Sequence, residues 1–349
     1  MPGSQPSPRD VPSIKCVVWD LDDTLWRGTL LDGDDPVLAP ETREIVRGLD
    51  DRGILQSVAS RNDHDTAWAK LTAFALDEFF LYPQIRWADK SESIRVIADR
   101  LGIGLDTVAF VDDQAFERDE VHDLLPSVLT IDAADVGGLL DIPRMRPRFI
   151  TAESRIRRKM YVADNLRNRL EDEFPGTRQE FLATLGMCVT IRAAGEPDLR
   201  RAEELTIRAN QLNTTGRPYS YEELTALTKS PDHLLLVAGL EDRYGTSGTV
   251  GLALIDRGSG GWLIRLFITS CRVVSRGVGG IMLTHILRSA RSRGVGLRAE
   301  FIHNDRNRMM YMTYKFHGFR EIAGDGATVL LEHDLENIRA YPRGVTVRS

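Results

Sequence analysis

From residue 14 to residue 142 the chain alternates short β-branched apolar runs with amphipathic stretches. The runs fall at 14–19, 54–59 and 108–111, and the amphipathic stretches at 41–51, 65–74 and 91–101. Such βαβα alternation predicts a parallel sheet with helices on both faces and with ligands at the carboxyl ends of its strands. Segment 141–148, with two prolines and three arginines, interrupts the pattern, and a charged helix-like stretch follows over 154–173. Beyond residue 188 the order changes to a helix at 199–208, β-like runs at 233–239, 248–255 and 262–269, and a Gly-rich turn at 276–280. A helix to 292, a strand at 298–302 and a helix at 306–316 complete an α+β order. The expected division is a leader at 1–13, a Rossmann-like α/β domain at 14–147, a helical linker at 148–184 and an α+β domain at 185–349.

A chain of 349 residues exceeds the usual single core and fits two domains. With 42% of residues hydrophobic and 28% charged, it has the apolar material to offset chain entropy, which excludes bulk disorder. Lys plus Arg total 45 against 51 Asp plus Glu, a formal charge of -6 that gives no electrostatic reason for a nucleic-acid partner. No apolar run is long enough to cross a bilayer, so no membrane partner is expected either. Cys16, Cys188 and Cys271 are too few and too scattered for a disulfide framework or a zinc knuckle. A reducing, cytoplasmic location fits that usage, and the Pro- and Ser-rich start lacks the apolar segment of a signal peptide.

Asp20-Leu21-Asp22-Asp23-Thr24 follows the first apolar run, so two carboxylates two residues apart emerge together from a buried strand. Such a pair binds a hard cation such as Mg2+, and one carboxylate can attack phosphorus while the other protonates the leaving oxygen. A phosphoryl site also needs donors for the equatorial oxygens. Ser60, after the second run, offers a hydroxyl, Lys90 opens a helix as a cation, and Asp112-Asp113, after the third run, completes a metal shell. Each alone has a plain reading as a solvated turn or helix-start residue. Together, acid pair, Ser, Lys and acid pair fall in order at strand ends or helix starts, and this set resembles the four motifs of the haloacid dehalogenase superfamily. Its phosphatases follow the nucleophile with a second Asp two residues on, as Asp22 follows Asp20. Only a short stretch separates Asp22 from the helix near Glu41, which leaves the site little cap of its own.

A second constellation lies at Ser270-Cys271-Arg272-Val273-Val274-Ser275-Arg276-Gly277, where a strand gives way to the Gly-rich turn. Backbone amides at such a turn can hold an oxyanion, and Arg272 and Arg276 would favour the thiolate of Cys271. His303 follows the strand ending at 302 and could deprotonate Cys271, with Asp305 orienting it. The plainer readings are a small buried apolar residue for Cys271 and a surface residue for His303. Strand, turn and helix also resemble the acyl-coenzyme A loop of GNAT acetyltransferases, although Val274 stands where that signature wants Gln or Arg. The expectation is a GNAT-like fold without ordinary coenzyme A binding.

Over roughly residues 14–335 the chain resembles FkbH-like proteins, glyceryl transferase/phosphatases that load a glycolytic three-carbon unit onto an acyl carrier protein in polyketide pathways. The resemblance is carried by the DxDxTLW pattern within 15–26, by Ala59-Ser60-Arg61-Asn62-Asp63, by residues 87–91 and by VDDQAFER at 111–118. Asn210-Gln211-Leu212-Asn213-Thr214-Thr215 and the Cys271 segment extend it. Asp23, Arg61 and Gln114-Ala115 stand where the family often has Asn, Lys and Asn-Pro.

The resemblance implies Mg2+ on Asp20, Asp22 and Asp112, with phosphate held by Ser60, Arg61, Asn62 and Lys90. It implies that Cys271 attacks the acyl phosphate of 1,3-bisphosphoglycerate and that Asp20 removes the other phosphate through a phosphoaspartate, with Asp22 as acid and base. The phosphopantetheine arm of an acyl carrier protein then takes the glyceryl group. Residues 303–307 look like the tetronate-pathway members. Asn210, Gln211, Asn213 and Thr214, with Arg272, would contact the substrate, and the polar cluster reads equally well as a helix-end cap. Two rivals stand beside this function: a magnesium-dependent phosphatase whose carboxyl half senses acyl-coenzyme A, and a non-catalytic assembly module. The arginines at 155, 157, 158, 167 and 169 could meet an acidic carrier, with a solvated helix face as the default reading.

Overall fold

The computed structural model describes residues 12–33, 35–208, 212–304 and 307–349. The chain divides into two compact units, Met1–Val162 and Ala163–Ser349.

In the first unit, β1 (Cys16–Trp19) is inaccessible to solvent along its whole length. A strand apolar on both faces belongs in the middle of a sheet covered on both sides. β1 accordingly lies between β2 (Leu55–Ser60) and β4 (Val108–Asp112), parallel to both. With β3 (Gln84–Ile85) and β5 (Leu129–Asp132) they form a five-stranded parallel sheet in the order β3-β2-β1-β4-β5. The connecting helices are α1 (Pro40–Asp51), α2 (His64–Ala73), α3 (Lys90–Leu101) and α4 (Ala115–Leu124). Alternation along β1 sends Val17 and Trp19 into one apolar cluster and Cys16 and Val18 into another, one on each face. This is the Rossmann-like architecture that the alternation predicts. The strand order reverses between β1 and β4, the place where such sheets open a crevice at their carboxyl edge.

After α5 (Ala152–Arg155), α6 (Arg157–Asp172) departs from the solvated face read in its arginines. Arg157 and Arg158 are buried: Arg157 donates to Gly53 O at 3.1 Å, and Arg158 donates to Asp50 Oδ1 at 3.1 Å and to Glu78 O at 2.7 Å. Arg167 is 4% exposed. Arg155 and Arg169 alone of the five stay exposed.

The second unit continues with α7 (Arg178–Thr184), β6 (Cys188–Ala193), α8 (Glu196–Arg208), α9 (Tyr221–Lys229), β7 (His233–Asp242), β8 (Gly245–Gly258) and β9 (Gly261–Thr269). α10 (Val278–Ser292), β10 (Leu297–Ile302), α11 (Arg308–Phe316), β11 (Arg320–Asp325), β12 (Thr328–His333) and β13 (Thr346–Arg348) follow. The eight-stranded mixed sheet runs β11-β12-β10-β9-β8-β7-β6-β13, the α+β class expected for this half. β10 pairs with β9 only from Leu297 to Ala299. Beyond that, Thr214 takes the partner's place: its N–H donates to Phe267 O at 3.1 Å, its hydroxyl accepts from Phe267 N at 3.0 Å, and its carbonyl accepts from Ile302 N at 2.9 Å. Among the described residues no helix is long and apolar enough to cross a membrane.

Candidate functional site

In the first unit the chain leaves β1 at Asp20, β2 at Ser60 and β4 at Asp112, all at the carboxyl edge of the sheet. Asp20 and Asp112 flank the reversal of strand order, so the topology alone brings together residues 92 positions apart (112 less 20). Lys90, the first residue of α3, is 3% exposed. Its Nζ donates to Asp20 Oδ1 at 2.5 Å, to Asp112 Oδ2 at 3.0 Å and to Ala59 O at 3.0 Å, and lies 2.9 Å from Glu117 Oε2. One ammonium among three carboxylates leaves surplus negative charge in a buried volume. Burial pushes the Asp20 carboxyl up to about 6 against the pull of Lys90. Burial, and then the Asp20 charge, push Asp112 up to about 7. Burial opposes the charge on Lys90 too, but the surrounding carboxylates outweigh it and hold the ammonium above its ordinary value.

Carboxylate oxygens of Asp20, Asp112 and Asp113 lie within 4.8 Å of one another. An all-oxygen set in a pocket of excess negative charge fits a hard divalent cation. The Asp22 carboxylate is not in that set and is held by other partners: it accepts from Trp26 Nε1 at 2.8 Å, from Asn62 Nδ2 at 2.8 Å and from Leu30 N at 3.3 Å. Asn62, 2% exposed, thus holds Asp22, and its own Oδ1 is buried without a partner among the described residues. The Ser60 hydroxyl, also buried, bonds the Asp20 carboxylate. Arg61 ties the neighbouring loop, donating to Ala88 O at 3.2 Å and to Asp89 Oδ1 at 3.2 Å, and lies 3.4 Å from Glu117.

Asp113, read from the sequence with Asp112 as part of a metal shell, belongs to this site, and so do Thr24, Trp26 and Glu117, to which the sequence assigns no role of their own. Thr24 accepts from Asp113 N at 3.0 Å and Glu117 bridges Lys90 to Arg61. The signal for Glu117 is its place in the first turn of the helix that follows Asp112.

In the second unit Cys271 opens a short 3-10 turn, Cys271–Arg276, and is exposed, so the buried-residue reading does not hold. Gly277, at φ 71, takes the left-handed conformation that ends the turn and lets α10 begin. Arg272 and Arg276 turn inward. Arg276 Nη2 donates to Asp164 Oδ1 at 2.8 Å and Nη1 to Ser247 Oγ at 3.0 Å, with Asp242 Oδ2 at 3.5 Å. Arg272 donates to Ser247 O at 3.3 Å and lies 3.9 Å from Asp164. Arg167 closes the network with Asp242 at 2.8 and 2.7 Å and Asp164 at 2.9 Å. The two arginines beside Cys271 therefore anchor its turn.

His303 is exposed, its ring centroid 4.9 Å from that of Phe301 and 4.9 Å from that of Tyr311. Among the described residues no hydrogen bond joins it to Cys271. Asn213 and Thr214 are fully buried and occupied: Asn213 Oδ1 accepts from Thr215 N and Gly216 N, and its Nδ2 donates to Arg217 O. Asn210, Gln211 and Asp305 lie outside the described residues.

No family model and no curated protein matches the chain. Among solved structures it is similar to the N-terminal part of protein BF1531 from Bacteroides fragilis, containing a phosphatase domain complexed with Mg, at 28% identity and a TM-score of 0.33. That match covers 38% of this chain and 39% of the other. The PaiA N-acetyltransferase from Thermoplasma acidophilum in complex with coenzyme A matches at 16% identity over 42% of this chain and 98% of its own, with a TM-score of 0.34. The ribosomal-protein-S18-alanine N-acetyltransferase from Escherichia coli matches at 16% identity over 42% and 92%, with a TM-score of 0.32.

Proposed function

We propose that this chain is a two-centre enzyme that converts 1,3-bisphosphoglycerate into a glyceryl thioester on an acyl carrier protein. The observation that carries the reading is the buried Asp20–Lys90–Asp112 cluster at the strand-order reversal, a geometry suited to phosphoryl transfer. An exposed Cys271 in the second unit supports the acyl half.

Asp20, Asp112 and Asp113 would hold Mg2+ through their oxygens. When bound, the ion neutralises charge on phosphoryl oxygens. An Asp20 oxygen attacks the C3 phosphorus, a P–O bond forms, and the bond to the glyceryl oxygen breaks with its electron pair on that oxygen. Asp22, held by Trp26 and Asn62, supplies the proton. Asp22 then takes a proton from the water that attacks the aspartyl phosphate, which releases inorganic phosphate and restores Asp20. Lys90 keeps Asp20 and Asp112 in place throughout.

At the second centre the Cys271 sulfur attacks the acyl carbon. The C–S bond forms, the acyl C–O bond breaks, phosphate leaves, and the thiol proton passes to solvent. The thiol of the carrier's phosphopantetheine arm attacks the same carbon, takes the glyceryl group and returns the sulfur of Cys271. An acyl phosphate is already activated toward a thiolate, whereas a phosphate monoester needs a nucleophile with charge neutralisation, so two chemistries occupy two centres.

Intact-protein mass after exposure to 1,3-bisphosphoglycerate tests this. Wild type should carry a glyceryl adduct, Cys271→Ala none, and Asp20→Asn a phosphoglyceryl adduct. A wild type without any adduct overturns the transferase half, and undiminished phosphate release by Asp20→Asn overturns the other.

A further inference from the structure

The outward face of α11 carries a stripe with no counterpart in the chemistry above. Met309, Met312 and Phe316, at positions i, i+3 and i+7, are 53%, 38% and 60% exposed. Residues at this spacing share one side of a helix. From 308 to 320 the chain holds the cations Arg308, Lys315 and Arg320, which outnumber the carboxylates recorded beside them, Glu321 (bonded by the Tyr311 hydroxyl) and Asp334, in a protein whose formal charge is -6. Arg308 and Lys315 are exposed, and the Arg320 side chain is 81% exposed with an exposed Asp334 oxygen at 3.8 Å. A surface ion pair of that kind holds a cation weakly.

The opposite side of α11 packs against the residues on either side of the Cys271 turn, the end of β9 and the start of α10. Met310 is buried with its sulfur 3.7 Å from Thr269 Oγ1, two residues before Cys271. Glycines at the start of α10 allow the close approach. A Cβ on Gly280 would stand 2.9 Å from His317 Cε1, and one on Gly279 would touch Thr269 at 3.2 Å and Thr313 at 4.0 Å. The outer face of α11 is thus separated by the helix itself from the residues that flank Cys271 in sequence, and a flexible pantetheine arm would span that distance.

We propose that this face is the docking surface for the carrier protein and that the carrier presents an acidic helical surface to it; this rests on the glyceryl-transfer reading. Exposed Met and Phe side chains form the apolar centre typical of a binding patch, and the cations form a rim that attracts carboxylates. The same rim disfavours a second copy of this chain, since a symmetric contact would bring like charges together.

The test uses the full chain and a phosphopantetheinylated carrier chosen from a panel because wild type loads it, with free pantetheine as the control acceptor. In the Lys315→Glu, Phe316→Ser double variant, KM for the carrier should rise about tenfold or more while transfer to free pantetheine and Cys271 acylation stay at wild-type rates. Restoring only Lys315 should recover part of the loss. An unchanged carrier KM overturns the docking surface and leaves the transferase standing. A wild type that acylates Cys271 and loads pantetheine but no carrier in the panel overturns the surface as well. A wild type that forms no Cys271 adduct sinks both. If the variant instead converts a dimer to a monomer on light scattering with carrier KM unchanged, the face belongs to a second copy.

Discussion

Lys90 Nζ stands 2.5 Å from Asp20 Oδ1 and reaches Asp112 and Glu117 from the same position, with 3% of the lysine side chain exposed. Removing the cation strands buried carboxylates, whereas removing one carboxylate relieves a negative surplus. Lys90→Met should cost about 3–5 kcal/mol in urea unfolding. Asp20→Asn should be no less stable than wild type while phosphate release falls by about a thousandfold or more. A Lys90→Met variant of wild-type stability would refute the charge accounting.

Asp164 serves Arg167, Arg272 and Arg276 together. Asp164→Ala should lower the stability of the second unit by about 3 kcal/mol, because buried guanidinium groups lose a shared acceptor. The alkylation rate of Cys271 should change in the same variant, since Arg272 and Arg276 anchor its turn. Asp164→Asn, which keeps an acceptor, should fall between.

The three cysteines differ in access. Cys271 is exposed, Cys188 intermediate and Cys16 fully buried, where burial pushes its thiol far up. Iodoacetamide on the native chain should label Cys271 first, Cys188 more slowly, and Cys16 only after denaturation, as read by peptide mass.

Burial lowers the imidazoles of His317 and His333 below 6.5, so the fold prefers both neutral. For a depressed value the stabilisation is complete above the unfolded value of 6.5 and shrinks as pH falls through the lower folded value. The Tm of the second unit should therefore drop between pH 7 and pH 5, and His333→Gln should flatten that slope.

How much of this was readable along the chain depended on whether a residue's environment is local. β1, β2 and β4 announced themselves because strands buried on both faces need continuous apolar runs. β3 has two residues and β11 is exposed throughout, so neither leaves a hydrophobic period to detect. Asp20, Ser60 and Asp112 lie at strand ends and Lys90 at a helix start, where motif position and topology coincide, so their meeting could be read from the order of elements. The direction of Arg272 and Arg276 was not legible: Asp164 lies 112 residues before Arg276, and only the fold brings them together. The exposure of Cys271 had the same limit. Asn213 and Thr214 spend their polar atoms holding the loop and filling the gap between β9 and β10, partners that no helix-end pattern in the sequence announces.

The indole of Trp26, 2% exposed, donates its N–H to Asp22. Indole emission responds to a charge placed at its nitrogen, so this tryptophan is a built-in optical gauge of the very carboxylate assigned to shuttle protons. Stopped-flow fluorescence can then follow the proposed phosphoryl-transfer centre turn by turn, without a dye or a labelled substrate, and a Trp26→Phe chain supplies the blank.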